Sequence, residues 1–234
     1  MKYKRVLLKL SGESLMGTDG HSLDGQMLTS YTRQINEAHA LGVQVAVVLG
    51  GGNIFRGVQG TSKGVDRFTG DYMGMLATVI NCMALQSFLE QSGTPARLMT
   101  GLHLYPMAER IYGPKMIEYL EKGNVLLLGG GTGNPYFTTD SAAALRAVEI
   151  KADAVLKGTR VDGVYSSDPE KDPKAIKFDK ITFREAYDKG LKIMDLTAFT
   201  LCEENKIPVI VFNIHRKGNL RKLLAGEPVG TIIY

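Results

Sequence analysis

A run of glycines, threonines and one carboxylate at residues 129–140 (GGGTGNPYFTTD) is the part of the sequence best suited to chemistry. It follows the apolar segment 125–128, which is typical of a buried parallel strand, and it precedes an alanine-rich helical pattern. Glycines let the backbone approach a ligand that any Cβ would obstruct, and N–H groups at a helix start attract anions. Thr138 and Thr139 add hydroxyl donors. The pattern predicts a phosphate site, with an ordinary strand-to-helix turn as the alternative.

Asp140, at the end of this run, does not suit a simple phosphate cradle, because a carboxylate repels phosphate. It could cap the helix, or it could belong with a metal ion or with lysines. Lys9 and Lys157 each lie at the carboxyl end of a predicted strand (RVLLKL and AVLK), where ligands of parallel sheets bind. Lys9 could instead be an edge-strand lysine that blunts pairing.

A second glycine run, GGGN at 50–53, follows the apolar segment 43–49 and predicts another strand with a ligand-binding turn. Arg56 could clamp a phosphate with its planar guanidinium, or it could be a surface arginine. Asp71 begins a long helical pattern and could cap that helix. Tyr165, beside a polar turn, could flank a nucleobase or pack on the surface.

Strand patterns alternate with helical patterns along the whole chain, which predicts an α/β fold with a mostly parallel sheet and helices on both faces. Helices are predicted at 26–41, 70–91 and 105–122, and a charged loop at 171–180. The apolar surface of helix 70–91 is wide for a single core face, which fits contact with a second subunit.

The composition of the 234 residues argues against several classes of protein. The net charge is +4, from 28 basic and 24 acidic residues without a block of like charges, which suits a small anion better than nucleic acid. Cys82 and Cys202 show neither metal-ligand spacing nor a disulfide pattern. The N-terminal segment lacks the features of a signal peptide, and no apolar stretch approaches spanning length, so a cytoplasmic location is expected.

Two common phosphate motifs do not occur. The sequence contains neither G-x-x-x-x-G-K-[ST] nor G-x-G-x-x-G after a strand, which counts against P-loop kinases and dinucleotide dehydrogenases. What remains is a set of polar or glycine-rich strand ends, and in a parallel sheet these ends meet at one edge. Phosphoryl transfer needs positioning and positive charge, and this set supplies both.

These motifs together resemble the amino acid kinase family, and in particular its bacterial branch that phosphorylates UMP. The resemblance covers nearly the whole chain, and the run 131–140 is its most specific part. The matching segments are KLSGESL (9–15), VVLGGGNIFRG (47–57), GDYMGMLATVIN (70–81), GTGNPYFTTDSAAALRAVEI (131–150), VLKGTRVDGVYSSDP (155–169) and LKIMDLTAFTLCEENKIPVIVFN (191–213).

The resemblance implies a single three-layer α/β/α domain over residues 1–234, with the two nucleotides side by side. Lys9 and Lys157 would approach the transferred phosphoryl group, and Asp140 would hold these lysines in place. The ATP set would be Lys9, Leu10, Ser11, Gly12, Gly52, Arg56, Thr159, Tyr165 and Asp168. The UMP set would be Gly51, Asp71, Thr132, Gly133, Asn134, Pro135, Tyr136, Phe137, Thr138 and Thr139, and Arg56 also fits this set. A loop linked to GTP activation would comprise Gly17, Thr18, Asp19, Gly20, His21 and Ser22.

The implied reaction transfers the γ-phosphoryl group of ATP to UMP, giving UDP and ADP in pyrimidine nucleotide biosynthesis. The branch is typically Mg²⁺-dependent, activated by GTP, inhibited by UTP and hexameric, and neither nucleic acid nor a membrane is expected as a partner. No residue is assigned as a metal ligand, and Asp195, in a motif of the branch, is given no role. Two alternatives remain: a non-enzymatic nucleotide or oxyanion binder, and a kinase that acts on an amino acid or carbamate.

Overall fold

The computed structural model of the chain describes residues 1–17, 21–55 and 64–234. The predictions for Thr18, Asp19, Gly20 and Arg56 therefore lie outside the described residues.

The strands are β1 (Arg5–Leu10), β2 (Gln44–Leu49), β3 (Ala96–Thr100), β4 (Glu109–Arg110), β5 (Val125–Gly129), β6 (Ala154–Thr159), β7 (Val164–Tyr165), β8 (Lys177–Phe178), β9 (Lys180–Ile181), β10 (Val209–Asn213) and β11 (Thr231–Ile233). The α-helices are α1 (Gly25–Ala40), α2 (Arg67–Gln91), α3 (Gly113–Glu121), α4 (Thr139–Glu149), α5 (Phe183–Asp188), α6 (Leu196–Glu204) and α7 (Asn219–Ala225), and Gly12–Leu15 forms a 3₁₀ turn.

Within the described part of the chain, nine strands form one sheet in the order β4-β3-β5-β2-β1-β6-β10-β11-β9. Every adjacent pair in it is parallel except β10 with β11. The strand β1 lies in the middle, between β2 and β6, so the interpretation of Lys9 as an edge-strand lysine is wrong. Lys9 is directly opposite Lys157 in the parallel register, and side chains at opposed positions leave the same face of a sheet.

Two apolar cores, one on each face of the sheet, make the fold a three-layer sandwich. Alternate residues of β1 serve both: Val6 and Leu8 pack with α1, α2 and α7, whereas Leu7 packs with α3, α4 and α6. The buried alanines of α4, at 142–144 and 147, let that helix approach the sheet and α6 closely. The predicted α/β fold is thus confirmed, and the single-domain organisation stays a prediction.

The predicted helix 105–122 is wrong over its first half, because α3 begins only at Gly113. The preceding residues form a turn and the short strand β4. Proline explains the boundary: Pro114 occupies the first turn of α3, where a missing N–H costs nothing, and Pro106 could not continue a helix. The predicted loop 171–180 likewise contains β8, and α2 begins at Arg67 rather than at residue 70.

By length and composition alone, the helix α2 could cross a membrane, so the expectation that no apolar stretch approaches spanning length is wrong. However, 44% of its most apolar 18-residue stretch is buried inside the fold, and the core helices of globular proteins can be as long and as apolar. Its apolar residues are therefore explained in part by packing against the sheet.

Candidate active site

Three charged side chains meet at the carboxyl edge of the sheet. Lys9 Nζ lies 2.8 Å from Asp140 Oδ1, and Lys157 Nζ donates to Asp140 Oδ2 at 2.8 Å. The Lys157 contact is thus both an ion pair and a hydrogen bond. All three side chains are 13–16% exposed, so the charges lie in a cleft rather than in the solvent or in the core. The group has a net charge of about +1 at neutral pH.

Asp140 reaches the lysines because Thr138, not Asp140, caps α4. The Thr138 hydroxyl accepts from the backbone N–H of Asp140 at 3.0 Å and of Ser141 at 3.3 Å. The capping interpretation of Asp140 is therefore wrong. Its carboxylate lies in the first turn of the helix, where the helix dipole also favours negative charge.

The burial of Asp140 by itself raises the pKa of this carboxyl, but Lys9 and then Lys157 more than offset that effect, so the pKa lies below its usual value. Burial lowers the pKa of the Lys157 ammonium, and Lys9 adds to this, while Asp140 opposes it. Lys157 also donates to the backbone carbonyl of Ile193. The carboxylate is thus held ionised, and Lys157 is a more easily deprotonated lysine than one in water.

A cavity of about 510 Å³, the glycine-loop pocket, opens on the Lys9 side of this cluster. Members of both predicted nucleotide sets line it. From the ATP set these are Lys9, Ser11, Gly12 and Gly52, and from the UMP set Gly51, Asp71, Thr132, Asn134, Phe137, Thr138 and Thr139. The glycine run 50–52 and Gly131 line it. A Cβ at Gly51 would come within 2.6 Å of the Gly74 carbonyl oxygen, so this wall lies too close to α2 for a side chain.

A second cavity of about 630 Å³, the Tyr165 pocket, opens on the Lys157 side. Three further members of the predicted ATP set, Thr159, Tyr165 and Asp168, line it. The Tyr165 hydroxyl bonds to Asp162 Oδ1, which holds the ring at the wall of the pocket. One lysine of the cluster thus lines each pocket, and Asp140 joins the two lysines.

Asp71 lies within α2 and not at its start, so the capping interpretation of Asp71 is wrong as well. The cap is Asp66, whose carboxylate accepts from the Thr69 N–H at 3.0 Å. Asp71 instead accepts from Arg67 Nε at 2.8 Å and from the Tyr136 N–H at 2.8 Å. It therefore joins α2 to the loop 132–138 beside the pocket.

Several predicted residues do not line either pocket. The Leu10 side chain is fully buried in the core, so only its backbone is at the edge of the sheet. Gly133 packs against Gly101, where an added Cβ would come within 2.6 Å of the Gly101 carbonyl oxygen. Also outside both linings are Pro135, Tyr136, Gly17, His21 and Ser22.

The structure also brings to the site residues that were not predicted from the sequence. Arg67 and Thr78 line the glycine-loop pocket, and Lys192 and Ile193 line the Tyr165 pocket. Thr78, Lys192 and Ile193 had a signal in the sequence, because they belong to the matching segments 70–81 and 191–213, whereas Arg67 had none. Asp195, in the same segment, caps α6 and accepts from the hydroxyls of Thr138 and Ser141, so it joins α6 to the start of α4.

A parallel α/β sheet with glycine turns and lysines at its carboxyl edge defines a class of phosphate-handling proteins, and the sequence comparisons agree with it. The sequence profile of the amino acid kinase family matches residues 4–213. The chain belongs to the amino acid kinase family, and within it to the uridylate kinases.

The relatives share this assignment over their full lengths. A uridylate kinase of Parabacteroides distasonis is 54% identical, covering 100% of this chain and 99% of that protein. A uridylate kinase of Porphyromonas gingivalis is 55% identical, covering 99% and 97%. The crystal structure of a UMP kinase from Bacillus anthracis superposes with a TM-score of 0.96 at 36% identity, covering 99% and 96%. The predicted resemblance is confirmed, and the chain is an enzyme.

Proposed function

We propose that this enzyme transfers the γ-phosphoryl group of ATP to UMP, giving UDP and ADP, within pyrimidine nucleotide biosynthesis. The observation that carries the proposal is the Lys9–Asp140–Lys157 cluster at the junction of two pockets, one lysine lining each. The relatives named as uridylate kinases support the choice of acceptor.

The two lysines act on charge rather than as acids or bases. In phosphoryl transfer the moving group carries its charge on three equatorial oxygens, with the attacking and leaving oxygens in line. Lys9 and Lys157 supply two ammonium groups on either side of Asp140, which fixes both of them. A low-dielectric cleft strengthens this stabilisation. The UMP phosphate is already ionised near neutral pH, so the transfer needs no general base, and Asp140 acts as a positioning residue.

The two pockets divide the nucleotides. The nucleoside end of ATP occupies the Tyr165 pocket against Thr159, Tyr165 and Asp168, and its phosphates extend past Ser11, Gly12 and Gly52. UMP occupies the outer part of the glycine-loop pocket, with Gly51, Asp71 and the loop 132–139 around it. The shared cavity explains why both predicted sets line it: the phosphates of donor and acceptor meet there.

Mg²⁺ is proposed to enter on the phosphates of ATP, where it would supply further charge neutralisation. The side chains of the described residues fit a metal ion held by the phosphates better than one bound directly by the protein. Among residues 1–17, 21–55 and 64–234, no group of three or more His, Cys, Asp or Glu side chains is arranged to hold a metal ion. The Asp140 oxygens are already engaged by lysines.

An acceptor panel tests the function. Purified protein with Mg-ATP should release ADP with UMP, and much more slowly with CMP or dTMP, in a coupled assay. Acetylglutamate, aspartate and carbamate should give no turnover. Turnover only with one of these three would identify a sibling kinase and overturn the assignment of residues 132–139. Nucleotide binding without turnover on any acceptor would favour the non-enzymatic alternative.

Regulation is proposed from the resemblance alone: GTP as activator, UTP as inhibitor, with the loop from Gly17 to Ser22 involved in the GTP response. Adding GTP or UTP to the UMP arm of the same assay tests each effect separately. A cytoplasmic location belongs to the same proposal.

We further propose a homohexamer built from dimers, with α2 at the dimer interface. Met73, Leu76, Ile80 and Met83 are 38–46% exposed and recur at helical spacing, so they form one apolar stripe on α2. A stripe of this kind on a surface helix marks a protein interface, and a second copy would cover it with its own stripe.

The double variant Leu76→Glu/Ile80→Glu is expected to break the dimer contact and lower the mass of the assembly, because four carboxylates would meet across a two-fold contact. Light scattering coupled to size-exclusion chromatography measures the mass. Ile176→Glu is the matched control, since Ile176 is 70% exposed in a loop away from α2. An unchanged mass for the double variant would contradict the placement of the interface.

A further inference from the structure

Two buried asparagines form a reciprocal amide pair beneath the glycine turns. Asn81, on α2, is fully buried, and Asn53, directly after the second glycine run, is 8% exposed. Asn81 Nδ2 donates to Asn53 Oδ1 at 2.8 Å, and Asn53 Nδ2 donates to Asn81 Oδ1 at 3.0 Å. Burying two amides costs free energy unless they are hydrogen-bonded, and this pairing satisfies both oxygens.

The second N–H of each amide holds a backbone carbonyl. Asn81 Nδ2 donates to the Gly50 carbonyl at 2.7 Å, and Asn53 Nδ2 donates to the Ser22 carbonyl at 2.7 Å. All four amide N–H groups are therefore used. The pair fixes the turn that follows β2 to the middle of α2 and to the segment before α1.

The turn that follows β1 rests on the same atoms. A Cβ at Gly12 would lie 2.4 Å from the Gly50 carbonyl oxygen and 2.5 Å from Asn53 Oδ1. The Gly50 N–H also donates to the Leu10 carbonyl at 2.9 Å. Gly12 and Gly50 are thus in direct contact. The two oxygens beside Gly12, the Gly50 carbonyl oxygen and Asn53 Oδ1, are the two that accept hydrogen bonds from Asn81 Nδ2.

Neither asparagine lines the glycine-loop pocket or the Tyr165 pocket, so neither contacts a nucleotide there. Their effect on a ligand passes through the backbone. The turns at Gly12 and Gly52 are the two that the proposed function assigns to the ATP phosphates, and their spacing depends on where the Gly50 carbonyl lies.

We propose that Asn81 and Asn53 are positioning residues that set the spacing of the two glycine turns for the phosphates of the donor nucleotide. The inference rests on the proposed function for the identity of that nucleotide. Because the UMP residues are mostly on the loop 132–139 and at Asp71, the pair acts on the donor more than on the acceptor.

The test is Asn81→Leu, which keeps the branching of the side chain at Cγ and removes both N–H donors and the acceptor oxygen. The affinity for a non-hydrolysable ATP analogue should fall about tenfold, because the three buried hydrogen bonds that Asn81 makes with Gly50 and Asn53 are lost, and kcat should fall with it. The affinity for UMP should change less than threefold. Isothermal titration calorimetry with each ligand, well below the melting temperature of the variant, gives both values.

Thr32→Val is the matched control, because Thr32 is buried on α1 and its hydroxyl oxygen has no hydrogen-bond partner within the described residues. It should leave both affinities unchanged. If Asn81→Leu shows no cooperative unfolding, Asn53→Ala takes its place, since it keeps the Asn81 bond to Gly50 and removes the reciprocal pair.

A variant that melts earlier but binds the ATP analogue and UMP with unchanged affinities would overturn the inference and leave the proposed function intact. An equal loss of both affinities would also overturn it. If the unaltered protein fails to phosphorylate UMP while Asn81→Leu still weakens the ATP analogue selectively, the proposed function fails and the positioning role stands.

Discussion

Lys9→Met is expected to lower kcat for UMP phosphorylation by about 10³-fold, because it removes one of two ammonium groups beside the transferred phosphoryl group. The folded state should lose little stability. The substitution keeps the apolar stem of the side chain, and it leaves Lys157 paired with Asp140 as a neutral couple. Steady-state assays with saturating Mg-ATP and UMP measure the rate, and thermal denaturation measures the folding.

Lys4→Met is the matched control, since Lys4 is an exposed lysine at the opposite end of the same strand segment. It should retain full activity. A Lys9→Met enzyme with near-normal kcat would show that Lys9 does not stabilise the transferred group, and would leave it as a structural partner of Asp140.

Asp140→Asn should harm both activity and stability, because it leaves two lysines in the cleft without a counter-ion. Removing one partner of a fully buried ion pair costs about 3–5 kcal/mol, and the partial exposure of these lysines reduces the expected loss to about 2 kcal/mol. For a chain of this size the melting temperature should fall by roughly 4–8 °C. We expect kcat to fall by at least about 10²-fold, since the lysines lose the group that positions them.

The pH dependence of kcat/KM distinguishes an effect of Asp140 on the lysines from a general disruption of the site. Asp140 raises the pKa of Lys157 against the opposing effect of burial, so its loss lowers that pKa further. The alkaline limb of the kcat/KM profile should move to lower pH in Asp140→Asn. A limb at an unchanged pH would show that Lys157 is not the group whose deprotonation ends activity.

The lowered pKa of Lys157 also makes the free energy of unfolding depend on pH. With a pKa in the folded state below the unfolded value of about 10.4, Lys157 binds fewer protons when folded, so unfolding free energy rises with pH through that window. The loss of unfolding free energy in Asp140→Asn, relative to the unaltered protein, is therefore largest at neutral pH and becomes smaller as the pH approaches 10. In the unaltered protein, Asp140 has the opposite dependence: its low pKa contributes stability above about pH 4 that is lost on acidification.

The sequence by itself determined the class of fold and the chemistry of its edge. Apolar segments followed by glycines or lysines indicate buried strands whose ends meet a ligand, and the alternation with helices indicates crossover connections. The lysines, the aspartate and both glycine runs were therefore identified from local pattern, and the run 131–140 identified the family.

Tertiary structure alone decided which local alternative each residue takes. Lys9 could be an edge lysine until the strand order put β1 in the middle of the sheet, and the register placed it opposite Lys157. Asp140 and Asp71 could each have been a helix cap, because caps and ligand-binding carboxylates have the same local sequence pattern. The structure shows that the caps are Thr138 and Asp66.

The pairing of Asn53 with Asn81 had no local signal, because the two residues are far apart in sequence, although each lies in a segment that carries the resemblance to the family. Strand register, helix placement and buried hydrogen-bond partners depend on contacts between distant segments. Those contacts are selected by the packing of the whole chain, and a local pattern of residues does not encode them.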